Sequence, residues 1–350
     1  MIKYLGSKRM LVPVLGEIAA ASGAGDAVDL FTGTTRVAQE FKRRGLVVTA
    51  NDTATYAKVL ADCFIATDAA SVDVGELQDA VARLQALPGT RGYFTKTFCE
   101  DARFFQPKNG MRVDAIRDAI EADYADSWMR PILLTALMLA ADKVDSTTGV
   151  QMAYLKEWAP RSNKDLELVL PELLPGPGIA HQEDAVALAA TLPRTQLMYL
   201  DPPYNQHRYF SNYHIWETLI RWDAPETYGI ARKRVDARDP GTKSRFNSKA
   251  DMPVELRRLL HTINAEVAVV SYNDEAWISP NEIMDTLREA GFEDVRLLGF
   301  NSKRYVGAQI GIHNPAGEKV GKIGRLRNTE YLFLAGPTAQ VAEIVARAAS

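Results

Sequence analysis

The chain has 350 residues, 47% hydrophobic and 24% charged, with a net charge of −3 and an isoelectric point near 6.0. This is an ordinary globular composition, long enough for one large α/β domain or a domain with an insertion, and nothing in it announces a nucleic-acid partner globally; any phosphate-binding surface has to be local. Cys63 and Cys99 are the only cysteines, and with no Cys-x-x-Cys or His cluster they argue against a zinc site and a disulfide scaffold.

In chain order, Lys3, Lys8 and Arg9 precede the apolar Met10–Leu15, which mimics a signal peptide until Pro13 and Glu17 interrupt it. It is too short to span a membrane, no other segment approaches 18 apolar residues, and cytoplasmic residence is the expectation. Ala27–Phe31 reads as a strand and Thr32-Gly33-Thr34-Thr35 as a loop. Val37, Ala38 and Phe41 then follow at helical spacing up to Gly45. Leu46–Ala50 supplies a second strand ending at Asn51-Asp52, which completes a βαβ unit. The next helix occupies Ala57 to Ile65. Residues 66–177 read as a mostly helical insertion with helices over Val72–Leu87, Arg112–Ala122 and Pro131–Lys143. It closes at the Pro/Gly-rich Leu174–Gly178, and no clear strand is expected before Leu197. The sheet then resumes through Leu197–Leu200, Val267–Ser271, Asp294–Phe300 and Tyr331–Ala335, with residues 222–255 irregular. The fold class expected is α/β.

Asp201-Pro202-Pro203-Tyr204 follows the buried run Leu197–Leu200. Neither proline can continue a ladder, so the strand should open there into a rigid loop at the end where open α/β sheets place ligands. The loop offers a carboxylate, a Pro carbonyl and a flat ring, a combination suited to a planar ring with an exocyclic amine. The plainer alternative is a Pro-Pro turn capped by Asp201.

Asp29-x-Phe31-x-Gly33 before a helix offers backbone N–H groups to a small ligand, although Thr34 or Thr35 would also serve as a simple cap. There is no Gly-x-Gly-x-x-Gly and no Gly-x-x-x-x-Gly-Lys-Ser/Thr, so a cofactor bound here should lack phosphates. Asp52 can accept from two ribose hydroxyls and Asp184 from an adenine amine; either would equally be a solvated loop acid. Segments 91–98 and 103–112 interleave five basic residues with five aromatics, as phosphate contact and base stacking require, and as a half-buried helix pair would also show. Between Arg232 and Lys249 seven basic residues face two acids. This run is either a solvated loop or a DNA arm.

Lys3-Tyr4-Leu5-Gly6-Ser7-Lys8-Arg9, the Asp29–Val37 loop, Asn51-Asp52, Asn109–Arg117, and Asp201–Asn205 with Tyr209 and Asn212-Tyr213-His214 together resemble the D12 class of DNA N6-adenine methyltransferases, in the alpha group that includes the Dam methylases. The resemblance runs from residue 3 to about 335. It departs at Thr35, where the family's Phe-Ser-Gly-Thr-Gly often has its second glycine. The resemblance implies a Rossmann-like methyltransferase sheet with helices on both faces, its catalytic domain formed by residues 1–65 and 178–350. Residues 66–177 would be an inserted target-recognition region and 222–255 a basic DNA-contacting loop. It implies S-adenosyl-L-methionine as cofactor, held by Tyr4, Lys8, Asp29, Phe31, Thr32, Gly33, Thr34, Asp52, Asp184 and Asp201, with no metal. Asp201, Pro202, Pro203 and Tyr204 would act on a flipped adenine in double-stranded DNA. Lys96, Arg103, Asn109, Arg232, Lys233, Arg234, Lys243 and Arg245 would contact the DNA. A restriction endonuclease as partner, and a monomer or a homodimer, are compatible with it. Alternatives are methylation of RNA adenine or of cytosine N4, a protein-glutamine methyltransferase, which should carry Asn at position 201, and a non-catalytic DNA-binding module.

Overall fold

Alternation of apolar side chains along three strands divides the interior into two layers. Leu197, Tyr199, Val267, Val269, Leu332 and Leu334 face one core, while Met198, Leu200, Ala268, Val270, Phe333 and Ala335 face the other. Side chains two apart on a strand share a face, so a sheet buried on both sides requires an apolar residue at nearly every position. The computed structural model describes residues 2–6, 8–204, 206, 208–303 and 327–348. Ser7 and Asn205 of the motifs above lie outside them.

Strands β1 (Asp26–Asp29), β2 (Val47–Asn51), β3 (Gly178–His181) and β4 (Thr195–Leu200) are followed by a small hairpin, β5 (Thr227–Tyr228) and β6 (Lys233–Arg234), and then by β7 (Ala265–Asn273), β8 (Asp294–Lys303) and β9 (Arg327–Gly336). Seven of them form one sheet in the order β3-β2-β1-β4-β7-β9-β8. The pairs among β3, β2, β1, β4 and β7 are parallel, and β9 runs antiparallel to both its neighbours. Helices α1 (Val12–Ser22), α2 (Arg36–Arg43) and α3 (Thr55–Ala61) bring Leu15, Phe41 and Tyr56 to the first core. Pro13 sits in the first turn of α1, where a missing N–H costs nothing.

The 66–177 segment carries α4 (Val74–Ala86), the single turn α5 (Tyr93–Thr95), α6 (Pro107–Tyr124) and α7 (Arg130–Lys143). Its apolar side chains join the first core rather than building one of their own. Phe94, Phe98, Phe104 and Phe105 are buried in the same cluster as Tyr56 and Trp216, so the aromatics of 91–112 pack inward and are not a base-stacking surface. Asp114 of α6 ties the turn down, accepting from the backbone N–H groups of Gly92, Phe94 and Thr95. Buried Arg117 donates to the carbonyls of Leu219 and Ile220 at 2.9 Å, satisfying carbonyl groups that a helix end leaves open. After β3 come α8 (Ala185–Ala189), α9 (Tyr209–Asn212), α10 (His214–Arg221), α11 (Met252–Thr262), α12 (Pro280–Glu289) and the C-terminal helix Thr338–Ala348. Val186, Leu256 and Ile283 of α8, α11 and α12 cover the second core.

The expected strands are present, and one more, β3, precedes the predicted resumption at Leu197. Gly-Ile-Ala-His is a four-residue edge strand, half exposed and without alternation, so its sequence carries no strand signal. Register places Asn51 of β2 beside its His181. The chain leaves β1 towards β2 on one side and returns at β4 on the other, so the carboxyl ends of β1 and β4 border the point where strand order reverses. Ligands of open α/β sheets bind at such a point.

Candidate active site

Asp29 pairs with Tyr199 in register, which sets Asp29 at the end of β1 close to Asp201, just beyond the end of β4. The prolines end the strand as expected: regular structure stops at Leu200 and residues 201–204 are irregular. Among the described residues, no backbone N–H donates to the Asp201 side chain. Its Oδ1 lies 3.1 Å from Lys8 Nζ, and the same ammonium is 3.2 Å from Glu330 Oε2 of β9 and 5.3 Å from the centre of the Tyr204 ring. Burial pushes the Asp201 carboxyl up to about 6, against the pull of Lys8. Burial also opposes the charge on Lys8, but Asp201, Tyr204 and Glu330 more than offset it and hold the ammonium well above its ordinary value. Tyr204 is buried and packs edge-on against Tyr272, ring centres 5.3 Å apart.

Beside this cluster the β1 loop supplies the second half of the site. Asp29 is 1% exposed, and its Oδ1 has no hydrogen-bond partner among the described residues. Burial pushes this carboxyl up to about 7. An unpaired buried carboxylate oxygen is costly unless a ligand meets it. Gly33 takes φ +50°, and a Cβ there would lie 3.2 Å from the Tyr4 ring, so the loop backbone comes as close to that ring as a glycine permits. The Gly33 N–H donates to Asp52 Oδ2 at 2.9 Å, and the Ala54 N–H to its Oδ1 at 3.0 Å. Each carboxylate oxygen keeps acceptor capacity for a further donor. Thr32 and Thr34 are buried, and Phe31 packs edge-on against Phe246.

Tyr4 stacks on Tyr213 at 4.5 Å and on Tyr209 of α9 at 5.3 Å, and its hydroxyl lies 3.2 Å from that of Tyr56. These rings join the N-terminal motif to the segment after Asp201–Tyr204. The Asn51 side chain bonds Glu183 N and O, which brings the loop bearing Asp184 to the end of β2. Asp184 itself caps α8, its Oδ1 accepting from Val186 N and Ala187 N. Neither Thr34 nor Thr35 caps α2 with its side chain. Among the described residues no group of three or more His, Cys, Asp or Glu is placed to hold a metal. Both cysteines are buried and free, and no described helix is long and apolar enough to cross a membrane.

The residues expected to touch DNA separate into two kinds. Two are corrected: Asn109 is buried and spends its amide on the carbonyls of Ser162 and Lys164 and on Leu166 N, and Arg234 is buried between Asp223 and Asp236, 2.7 Å from each. Both serve as structural ties inside the fold. Lys96 pairs with Asp101, Arg232 with the same acid at 3.6 Å, and Arg245 with Glu255. Arg103 lies over Trp158. Lys233 and Lys243 line a surface cleft. Sequence reasoning missed Glu330 and Tyr272, which lie far along the chain from Asp201 and carry no local motif. Only the pairing of β9 with β7, register Asn273↔Glu330, brings that strand end to the site.

A family model described as D12 class N6 adenine-specific DNA methyltransferase matches residues 4–286. The chain is 30% identical over 309 residues to the Type II methyltransferase M.NlaIII of Neisseria lactamica, covering 84% of the chain and 90% of that protein. It is 29% identical to the modification methylase StsI of Streptococcus sanguinis and 27% identical to the Type II methyltransferase M.FokI of Planomicrobium okeanokoites. Those alignments cover 84% and 87% of the chain but only 47% and 50% of the two proteins, so the chain spans about half their length.

Proposed function

Because the chain belongs to the family of D12 class N6 adenine-specific DNA methyltransferases, we propose that it transfers the methyl group of S-adenosyl-L-methionine to N6 of an adenine flipped out of double-stranded DNA at a defined sequence. The observation that carries this reading is the Asp201 carboxylate at the end of β4, engaged by Lys8 and adjoining the unpartnered Oδ1 of Asp29. In this reading the seven-stranded sheet is the Rossmann-like catalytic domain of residues 1–65 and 178–350. Residues 66–177 form the inserted target-recognition region, and 222–255 the basic loop.

The residues of the β1 loop fit the cofactor. Asp29 offers a buried acceptor to a cationic or N–H-bearing group, the loop backbone approaches closely at Gly33, and Asp52 has capacity for ribose hydroxyls. The bound cofactor supplies a methyl group on a positively charged sulfur. Tyr4, Phe31, Thr32, Thr34 and Asp184 complete its surroundings in this reading.

The exocyclic nitrogen of adenine is a poor nucleophile because its lone pair is delocalised into the ring. Asp201 and the Pro202 carbonyl would accept hydrogen bonds from its two N–H groups and leave that lone pair free to attack, a contribution of positioning and electrostatics, with one proton lost after methyl transfer. Above a pH of about 6 the Asp201 carboxyl is ionised and is an acceptor only. Without DNA, the Lys8 ammonium occupies one of its oxygens, and an adenine amine takes that place while Lys8 keeps Glu330. Tyr204, fixed against Tyr272, would stack on the extruded base. The relatives' names, Type II methyltransferase and modification methylase, support a place beside a cognate restriction endonuclease.

Incubating the purified protein with S-adenosyl-L-methionine and unmethylated bacterial DNA, with RNA in parallel, and then analysing the nucleosides by mass spectrometry tests the reading. N6-methyladenine in DNA is expected. N4-methylcytosine, or methylation confined to RNA, contradicts it.

A further inference from the structure

Of the seven cations between Arg232 and Lys249, three are taken by carboxylates: Arg232 by Asp101, Arg234 by Asp223 and Asp236, and Arg245 by Glu255. Three of the other four, Lys233, Arg238 and Lys243, converge on one cleft of about 340 Å³, where Arg208 joins them together with Ser211 and Tyr228. Among the described residues no Asp or Glu lines the cleft. We propose that this cleft binds a backbone phosphate of the DNA strand that carries the flipped adenine, an inference that rests on the function proposed above.

Three features support an anion there. Of the nearest acids in sequence, Asp236 is occupied by Arg234 and Arg221 and the exposed Asp239 does not line the cleft, so four positive charges share a cavity with no carboxylate paired to them among the described residues. Lys233 is half-buried, and burial lowers its pKa without an acid to restore it. An anion entering the cleft would offset that desolvation of the Lys233 ammonium. Third, the Arg238 guanidinium lies 3.8 Å from the centre of the Tyr228 ring, which fixes its plane and leaves the edge N–H groups for a phosphate.

Position identifies which phosphate. Ser211 lies on α9, whose Tyr209 stacks on Tyr4, and Arg208 comes four residues after Tyr204, a span of at most about 14 Å. A base extruded into the Asp201 edge carries its own backbone to the mouth of the site. The phosphates flanking the target adenine therefore pass within reach of this cleft, where they would hold the strand in register without reading its sequence.

The test measures binding of unmethylated duplex DNA over a series of salt concentrations for wild type, the double variant Lys233→Ala/Arg238→Ala, Lys233→Arg, and Lys249→Ala, a cation of the same run outside the cleft. Each phosphate contact contributes about 0.9 to the slope of log K against log salt. The double variant should lose about one unit of slope, while Lys233→Arg and Lys249→Ala stay near wild type. Calorimetric affinity for S-adenosyl-L-methionine should remain within twofold throughout, showing that the variants fold. Should the double variant fail to fold, Lys243→Ala at an exposed position carries the same expectation, with a loss of about one unit. An unchanged slope in a folded cleft variant, or an equal loss in Lys249→Ala, overturns the proposal. Absence of N6-methyladenine in DNA treated with the wild type would instead overturn the proposed function, a result independent of whether the slopes differ.

Discussion

At the scale of single residues, Asp29 shows how the site is maintained against stability. Its carboxyl is buried with one oxygen unpartnered, and burial raises it from 3.8 to about 7. The folded chain therefore holds this proton over an interval where the unfolded chain has released it. Stability falls as pH rises through that interval, from about 4 to about 7. Asp29→Asn removes the charge at nearly constant volume. The variant is expected to gain melting temperature over wild type at pH 8 and little at pH 5, and to lose affinity for S-adenosyl-L-methionine. Thermal denaturation at the two pH values checks this, and an equal gain at both would remove the account of Asp29. In the sequence this residue was legible as a site because an acid ended a strand before a glycine loop. Its missing partner was not, since burial of one oxygen depends on packing by distant elements.

At the scale of elements, the loop between β1 and α2 departs from the glycine pattern of the family it resembles, and the structure shows what the departure entails. Thr35 takes φ 63°, the left-handed conformation that glycine adopts without strain and that costs a β-branched residue roughly 1–2 kcal/mol. Its hydroxyl offsets part of that cost, donating to the Thr34 carbonyl and accepting from Gln39 Nε2 at 2.8 Å. Thr35→Gly relieves the strain and loses the hydroxyl, so its stability should stay within about 1 kcal/mol of wild type. Thr35→Val keeps the strain and strands the Gln39 amide, and should lose about 1–3 kcal/mol. Urea denaturation of the pair distinguishes them; a valine variant as stable as the glycine variant would contradict this reading of the loop. The elements themselves were legible wherever periodicity was strong, as in β4, β7, α4 and α7. They were not legible in β3, which is short and lies at an edge, nor in the choice among the basic residues of 232–249. Arg234 reads as a DNA-facing cation in sequence, but Asp223 and Asp236 draw it inward.

At the scale of the whole molecule, the proposed amine-binding edge is assembled from three remote parts of the chain: Lys8 from the N-terminal motif, Asp201–Tyr204 from the end of β4, and Glu330 from the antiparallel strand β9. The reversal of strand order between β1 and β4 sets this edge next to the loop proposed to hold the cofactor. The tyrosines 4, 209 and 213 then connect the edge to the cationic cleft. A chain with net charge −3 can approach DNA in this way because four cations, Arg208, Lys233, Arg238 and Lys243, share one cleft without a paired carboxylate among the described residues. The central claim is that Asp201 holds the acceptor amine rather than the cofactor or the fold. Its most direct test is the single-turnover rate of N6-methyladenine formation by Asp201→Ala at saturating S-adenosyl-L-methionine. A fall of at least about a hundredfold, with cofactor affinity within a few-fold of wild type, is expected, whereas methylation near the wild-type rate would contradict the role assigned to Asp201.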